Sequence, residues 1–330
     1  MSNEVDIREN AILQRDPILL DTLLLDQSRL KAGEALCNII WATDSYEKRG
    51  AAYAESEHIT KEAITGDNGD IVMPRTSKSE EEQRYRSREK AEVFTPSWIC
   101  NKQNNLIDSQ WFGGCSPFNT ETEEGWVTNP SPIPFPTADG KTWKDYIEDT
   151  RLEITCGEAP YLASRYDTIS GKIIPVQERV GLLDRKLRVV SENVHTEEEW
   201  HKMAKLAFQS TYGYEWQGDN LLLARENLLY TYFDFFKDKF GKEPTKKMAR
   251  EIATILSWNL WQMDGIKGVI PNSCHEHSEV VPSLFGDGET IKTPCPGCDK
   301  NDIYRHNGIY CYIKDWNAHR TLRFIDMIKP

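Results

Sequence analysis

Arg151-Leu152-Glu153-Ile154-Thr155-Cys156-Gly157-Glu158-Ala159-Pro160-Tyr161-Leu162 decides the fold. Residues 151–155 are β-prone and partly apolar, which predicts a strand carrying the carboxylate of Glu153 near its end. Cys156 to Pro160 predicts a turn, where Gly157 lets the backbone come close to a ligand. A helix through Tyr161-Leu162-Ala163 is expected next. Open α/β sheets bind ligands at such strand ends. Taken alone, the stretch also fits an ordinary strand–turn–helix.

Further along, the same alternation repeats. Thr196 and Glu199 have capping-box spacing, which predicts a helix start. Ser210 to Glu215 reads as a strand, and Leu221 to Phe240 as a helix closed by Gly241. Pro244 opens another helix, and Trp258 to Met263 is strand-like. Strands alternating with helices predict an α/β domain with a largely parallel sheet over about residues 91–270. Upstream, Asp16-Pro17 starts a helix and Asn38 to Thr43 reads as a short strand. Residues 45–90 are polar and charged, so residues 1–90 read as a helical and charged arm. Its Arg84, Arg86 and Arg88 belong to a solvated face or touch phosphate. Thr95-Pro96 opens a helix to about Asp108, and residues 113–141 read as an irregular loop. Residues 271–330, with four of the eight cysteines, read as a small β-rich appendage.

Composition narrows the function. The 330 residues are 39% hydrophobic and 28% charged, a soluble globular profile. No apolar run reaches the ~18 residues of a membrane helix. The N-terminus lacks the features of a signal peptide, so a reduced cytoplasmic protein is expected. A net charge of −12 argues against DNA binding by broad cationic attraction. Contact with DNA would need a local patch or a partner.

Three strand ends carry carboxylates: Glu153, Glu215 and Asp264. A carboxylate after the second strand can accept both ribose hydroxyls of a nucleoside, and Trp216 beside it can lie against a purine. Asp264 can accept an adenine amino hydrogen. In the tail, Cys295-Pro296-Gly297-Cys298 forms a knuckle with two thiolates on a tight turn. Cys311 follows, with His306 before it and Cys274, His275 and His277 upstream. A structural zinc takes four such ligands. Cys295, Cys298 and Cys311 with one further group, His306 or one of Cys274, His275 and His277, would suffice.

These segments, in this order, resemble the cofactor-binding half of the adenine-N6 DNA methyltransferases of restriction–modification systems (subunit M). Glu92-Val93-Phe94-Thr95-Pro96 is similar to the family's Phe-Thr-Pro segment over the methionine end of S-adenosylmethionine. Leu152 to Leu162 stands in the place of its Asp-Pro-x-Cys-Gly-x-Gly loop. Tyr212 to Gln217 matches the ribose-binding acidic strand, and Asn259 to Gly265 the strand whose Asp meets adenine. The resemblance implies a Rossmann-like class I methyltransferase sheet in a bacterial or phage protein. It also implies S-adenosyl-L-methionine held by Phe94, Thr95, Pro96, Glu153, Thr155, Cys156, Gly157, Glu215, Trp216 and Asp264. Residues 165–209 read as an insertion between the first two carboxylates. Glu153 replaces the usual Asp, Ile154 replaces Pro, and Ala159-Pro160 stands where glycines are usual.

The family's (Asn/Asp/Ser)-Pro-Pro-(Tyr/Phe/Trp) methyl-transfer loop is absent from the sequence. That loop grips and stacks on a flipped adenine. No catalytic residue is therefore expected in this chain. Three readings follow. A second subunit supplies the catalytic loop and DNA recognition, extending the sheet beside the last strand. Or the fold persists as an inactive binding or regulatory protein. Or the chain is a zinc-stabilised structural interaction protein.

Overall fold

The computed structural model describes residues 5–29, 36–114, 116–136, 140–283 and 286–328. It is a mixed α/β chain. The N-terminal part holds helices α1 (Glu9–Arg15), α2 (Pro17–Leu24), α3 (Lys61–Ile64) and α4 (Glu80–Glu89). Next come α5 (Ser97–Phe112), a hairpin of β1 (Asn119–Thr122) and β2 (Gly125–Thr128), and α6 (Trp143–Glu148). The central sheet has β3 (Arg151–Glu153), β4 (Thr211–Glu215) and β5 (Leu260–Gln262), all parallel and in that order. Helices α7 (Leu182–Asn193) and α8 (Glu197–Gln209) connect β3 to β4. Helices α9 (Gly218–Phe240) and α10 (Lys246–Asn259) connect β4 to β5. Two antiparallel hairpins follow, β6 (His277–Ser283) with β7 (Gly286–Thr293), then β8 (Tyr312–Asp315) with β9 (Arg320–Arg323). The one-turn helix α11 (Pro296–Lys300) lies between them. No helix among the described residues is long and apolar enough to cross a membrane.

Local chemistry explains most boundaries. Thr196 caps α8 by accepting from the Glu199 backbone, and Thr245 caps α10 the same way at Met248. Gly241 ends α9 in the left-handed region. The helix expected at Tyr161-Leu162-Ala163 is a turn instead, with Ala159 at φ 59°. The 165–209 segment is the β3–β4 crossover itself, and its Asp167 accepts from the Ser97 backbone at the start of α5.

The strands alternate between two cores, as a period of two requires. Leu260 joins the large helical core with Leu187, Phe208, Leu228 and Ile252. Tyr214, Trp261 and Met263 join a small cluster with Ile270, Cys311 and Ile313. The first ninety residues are no free arm, because Leu20, Ile39 and Trp41 are fully buried in the large core. The strand expected over Asn38 to Thr43 makes only isolated bridges, at Asn38 and Ile40, and breaks at Ala42 (φ 50°).

Arg86 corrects the expectation of a solvated or phosphate-facing stripe on α4. Its guanidinium is fully buried, pairs with both oxygens of Glu92 and lies 2.8 Å from Asp219. Lys78 is also beside Asp219, and the Tyr46 hydroxyl donates to it. Burial raises the Asp219 carboxyl, but Arg86 and Lys78 more than offset it and hold its pKa below the ordinary range. Arg84 and Arg88 remain exposed, paired with Glu80 and Glu89.

Candidate cofactor cavity and metal centre

A cavity of about 1000 Å³ opens at the carboxyl ends of β3 and β4. Its size is that of a small-molecule site. Phe94, Thr95, Glu153, Thr155, Cys156, Gly157, Glu215 and Trp216 all line it. Eight of the ten cofactor residues expected from sequence thus share one wall system. Pro96 does not line it, but caps α5 immediately behind.

The loop after β3 folds back toward β4. Glu215 accepts from the Gly157 backbone at 2.8 Å and from the Gln217 backbone at 3.2 Å. Glu153 accepts from the Tyr161 and Leu162 backbones at 3.4 and 3.2 Å. Gly157 has φ 54°, a conformation costly for a side-chain-bearing residue. Trp216 donates its indole N–H to the Ala42 carbonyl, which fixes its ring on the cavity wall.

The lining is acidic. Glu55, Glu89, Glu92, Glu153 and Glu215 face Lys90 alone among charged residues. Lys90 is already paired with Asp44 at 2.6 Å, and Glu92 with Arg86. Burial pushes the Glu153 and Glu215 carboxyls above their ordinary range, against the backbone N–H groups that hold them down. A cation between them would lower both again. Strained backbone gathers here too. Ala42, Ala91, Thr155 and Asn272, which line the cavity, all lie at φ between 47° and 60°. Such strain persists where surrounding structure enforces it, and it concentrates at binding sites.

Asp264 departs from expectation. It follows β5 at the same end of the sheet but does not line the cavity. Its Oδ1 caps its own turn by accepting from the Ile266 and Lys267 backbones, and its Oδ2 lies 3.5 Å from Lys267. Sequence missed Asn272 and the Glu89 to Ala91 wall, and it placed Glu92, Val93 and Gln217 within motif segments without naming them as lining residues. The left-handed Asn272 (φ 60°) sits in a turn whose contact with the cavity is purely tertiary.

The second cluster joins Cys274, Cys295, Cys298 and His306, whose ligand atoms all lie within 4.8 Å of one another. Cys274 Sγ is 3.7 Å from Cys298 Sγ, and His306 Nδ1 is 3.6, 3.6 and 3.7 Å from the sulfurs of Cys274, Cys295 and Cys298. Zinc–sulfur bonds of ~2.3 Å and zinc–nitrogen bonds of ~2.0–2.1 Å at tetrahedral angles separate sulfurs by about 3.8 Å, and sulfur from nitrogen by about 3.6 Å. The quartet therefore has the dimensions of a tetrahedral site and could hold a metal such as zinc. At 3.7 Å the Cys274 and Cys298 sulfurs are not bonded to each other. The Asn307 backbone donates to Cys295 Sγ at 3.2 Å. At Gly297 a Cβ would lie 2.6 Å from His306 Nδ1, so glycine there lets the imidazole approach the knuckle.

Cys311, expected as a ligand, is replaced by Cys274. Cys311 is fully buried in the small core, and its thiol donates to the Gln262 carbonyl at 3.4 Å. His275 and His277 lie outside the quartet. Comparison with protein families, with curated proteins and with solved structures finds no match to this chain.

Proposed function

We propose that this chain is the S-adenosylmethionine-binding half of a split adenine-N6 DNA methyltransferase of the restriction–modification type, on a Rossmann-like sheet. One observation carries the reading: residues from three of the four segments matching the family's cofactor motifs line a single acidic cavity at the ends of β3 and β4. Carboxylates favour a ligand carrying a sulfonium and an ammonium. They disfavour phosphorylated nucleotides, for which this cavity has no unpaired cation among its described lining residues.

Glu215 would hold the ribose hydroxyls, since a carboxylate has lone pairs beyond those given to Gly157 and Gln217. The loop from Thr155 to Gly157 would approach the methionine end, with Phe94 and Trp216 as walls. Methyl transfer to adenine N6 is a displacement at the methyl carbon, and a chain that orients the cofactor contributes by positioning. The catalytic tetrapeptide is absent from this sequence, so the reading assigns it, with DNA recognition, to a partner. The place for that partner is the open edge of β3, not the side of β5 as the sequence alone suggested. Gln262 of β5 is tied to both backbone atoms of Ile40. By contrast Leu152 of β3 and Ile154 just after it are 44% and 63% exposed. β3 has a strand partner on one side only among the described residues, and a free edge can accept another strand.

The test has two arms. Calorimetric titration of S-adenosylmethionine should show binding that Glu215→Ala weakens. Co-expression with a protein that carries the Pro-Pro loop and is encoded beside this one should yield methyl transfer into DNA that neither chain gives alone. Binding with no transfer in any pairing would favour a cofactor-sensing regulator. No binding would discard the methyltransferase reading.

A further inference from the structure

We propose that Cys274, Cys295, Cys298 and His306 bind one zinc ion, and that this ion latches the Asn272 wall of the cavity. The inference goes beyond the cofactor reading and does not depend on which ligand fills the cavity.

The ligand set is three sulfurs and one imidazole nitrogen in tetrahedral spacing, the combination that selects zinc among common divalent metals. Its members come from separate segments. Cys274 precedes the β6–β7 hairpin, Cys295 and Cys298 follow it, and His306 lies beyond α11. An ion there closes the base of the hairpin. It also ties the 264–274 segment, which leaves the central sheet, to the knuckle.

That segment reaches the cavity. Asn272 lines it and is two residues from the ligand Cys274, a backbone span of at most ~7 Å. The same ligand loops hold the segment in place. Asn307, next to His306, accepts from the His275 backbone and donates to its carbonyl. The Ile309 backbone donates to Ser273 Oγ, and the Ile270 backbone donates to the Ile309 carbonyl. The region is also held by backbone bonds from Cys311 to Gly268 and from Asp264 to Val269, and it rests on the small core of Tyr214, Trp261, Met263, Ile270, Cys311 and Ile313. Metal ligands rarely gather before the ion does, so ion binding and local folding are one equilibrium. Removing the ion should release His306, then Asn307, then the Ser273 and Asn272 turn.

Metal analysis of the full chain, purified without chelator, should find one zinc per chain. Cobalt substitution should give the intense visible bands of a tetrahedral thiolate site. Loss of even an outer-shell partner weakens metal sites by about 10–100-fold, so Cys298→Ser should cost at least that much zinc affinity. Cys311→Ala should leave stoichiometry and cobalt spectrum unchanged. Hydrogen exchange after chelation should quicken at 264–275 and 305–311 while α7 to α10 stay protected. Metal-free protein with a Cys274–Cys298 disulfide would overturn the proposal. So would a cobalt spectrum lost in Cys311→Ala but kept in Cys298→Ser. Exchange at 270–275 unmoved by chelation would overturn the latch. None of these readouts uses S-adenosylmethionine, so they fail or succeed separately from the cofactor reading.

Discussion

The helical body around the parallel sheet and the cysteine–histidine lobe beside it are held together differently. The body buries Trp41, Trp200, Phe208, Tyr232, Phe236 and many aliphatic side chains in one continuous core. It also closes over paired charges such as Arg86 with Glu92 and Asp219. Among its described residues the lobe contributes Ile270, Cys311 and Ile313 to a small core shared with Tyr214, Trp261 and Met263 of the sheet, and it carries a quartet of ligands. Small apolar cores seldom stabilise a unit alone, and a structural metal is a common substitute. The body should therefore keep its fold without any ion, and the lobe should not.

Chelation should sharpen that contrast most. Structural zinc contributes apparent free energies of about 10–16 kcal/mol in small metal-dependent folds. Circular dichroism after chelation should keep its helical far-ultraviolet signal and lose near-ultraviolet intensity from the tyrosines and tryptophans of the lobe and small core. Loss of both signals together would make lobe and body one cooperative unit.

Arg86→Met probes the body in the same spirit. Removing one member of a buried charge group costs about 3–5 kcal/mol because the partners remain buried and unpaired. Denaturant titration should show that loss, with Glu92 left to Asn220 and Asp219 to Lys78 and Tyr46. A variant as stable as the wild type would mean that water reaches this network freely.

Glu9 and Glu226 set up a pH test. Both are fully buried. Burial pushes the Glu9 carboxyl up to about 9, with Asp6 and Asp70 adding to it against a backbone hydrogen bond. A carboxyl raised above its unfolded value favours the folded state fully at low pH, and that contribution is lost as pH rises through about 9. Stability should fall between pH 6 and 9 by at most about 1.4 kcal/mol per pH unit for the one proton. Glu9→Gln should flatten that slope. A slope unchanged in the variant would place the titration elsewhere.

Glu215→Ala carries the smallest expected effect. Losing a charged hydrogen-bond partner should weaken S-adenosylmethionine binding by ~1–3 kcal/mol. Burial holds the Glu215 carboxyl above its ordinary range in the free protein, and a bound cation would lower it. Binding should then release protons and tighten as pH rises through the free-state pKa. Calorimetry in buffers of different ionisation enthalpy reads both effects, and proton uptake would contradict them.

The same contrast governs what the sequence could reveal. Local signals served well: the strands ending at Glu153 and Glu215, the Thr196 cap, the Gly241 stop and the Cys295–Cys298 knuckle are each written within a few residues. Features made by distant partners were hidden. The face of α5 with Asn101, Asn105 and Asp108 looks solvent-facing by composition, yet it is buried against Arg185, which lies 77 residues from Asp108. Arg86 sits in a charged run, and its burial rests on Glu92 just beyond the helix and on Asp219 of another helix. Spacing favoured Cys311 as a metal ligand. The apolar strand around it instead carried that thiol into the small core, which left Cys274 to complete the quartet. Asp264 has the right place in the chain order, but the turn after β5 uses its carboxylate.

The central claim is that the cavity at the ends of β3 and β4 selects a cationic adenosyl ligand. Equilibrium dialysis of the full chain with labelled S-adenosylmethionine, competed separately by unlabelled S-adenosylmethionine and by ATP, tests it most directly. Saturable binding displaced by the former and untouched by ATP is the predicted result. Displacement by ATP at equal concentration, or no saturable binding, would contradict it.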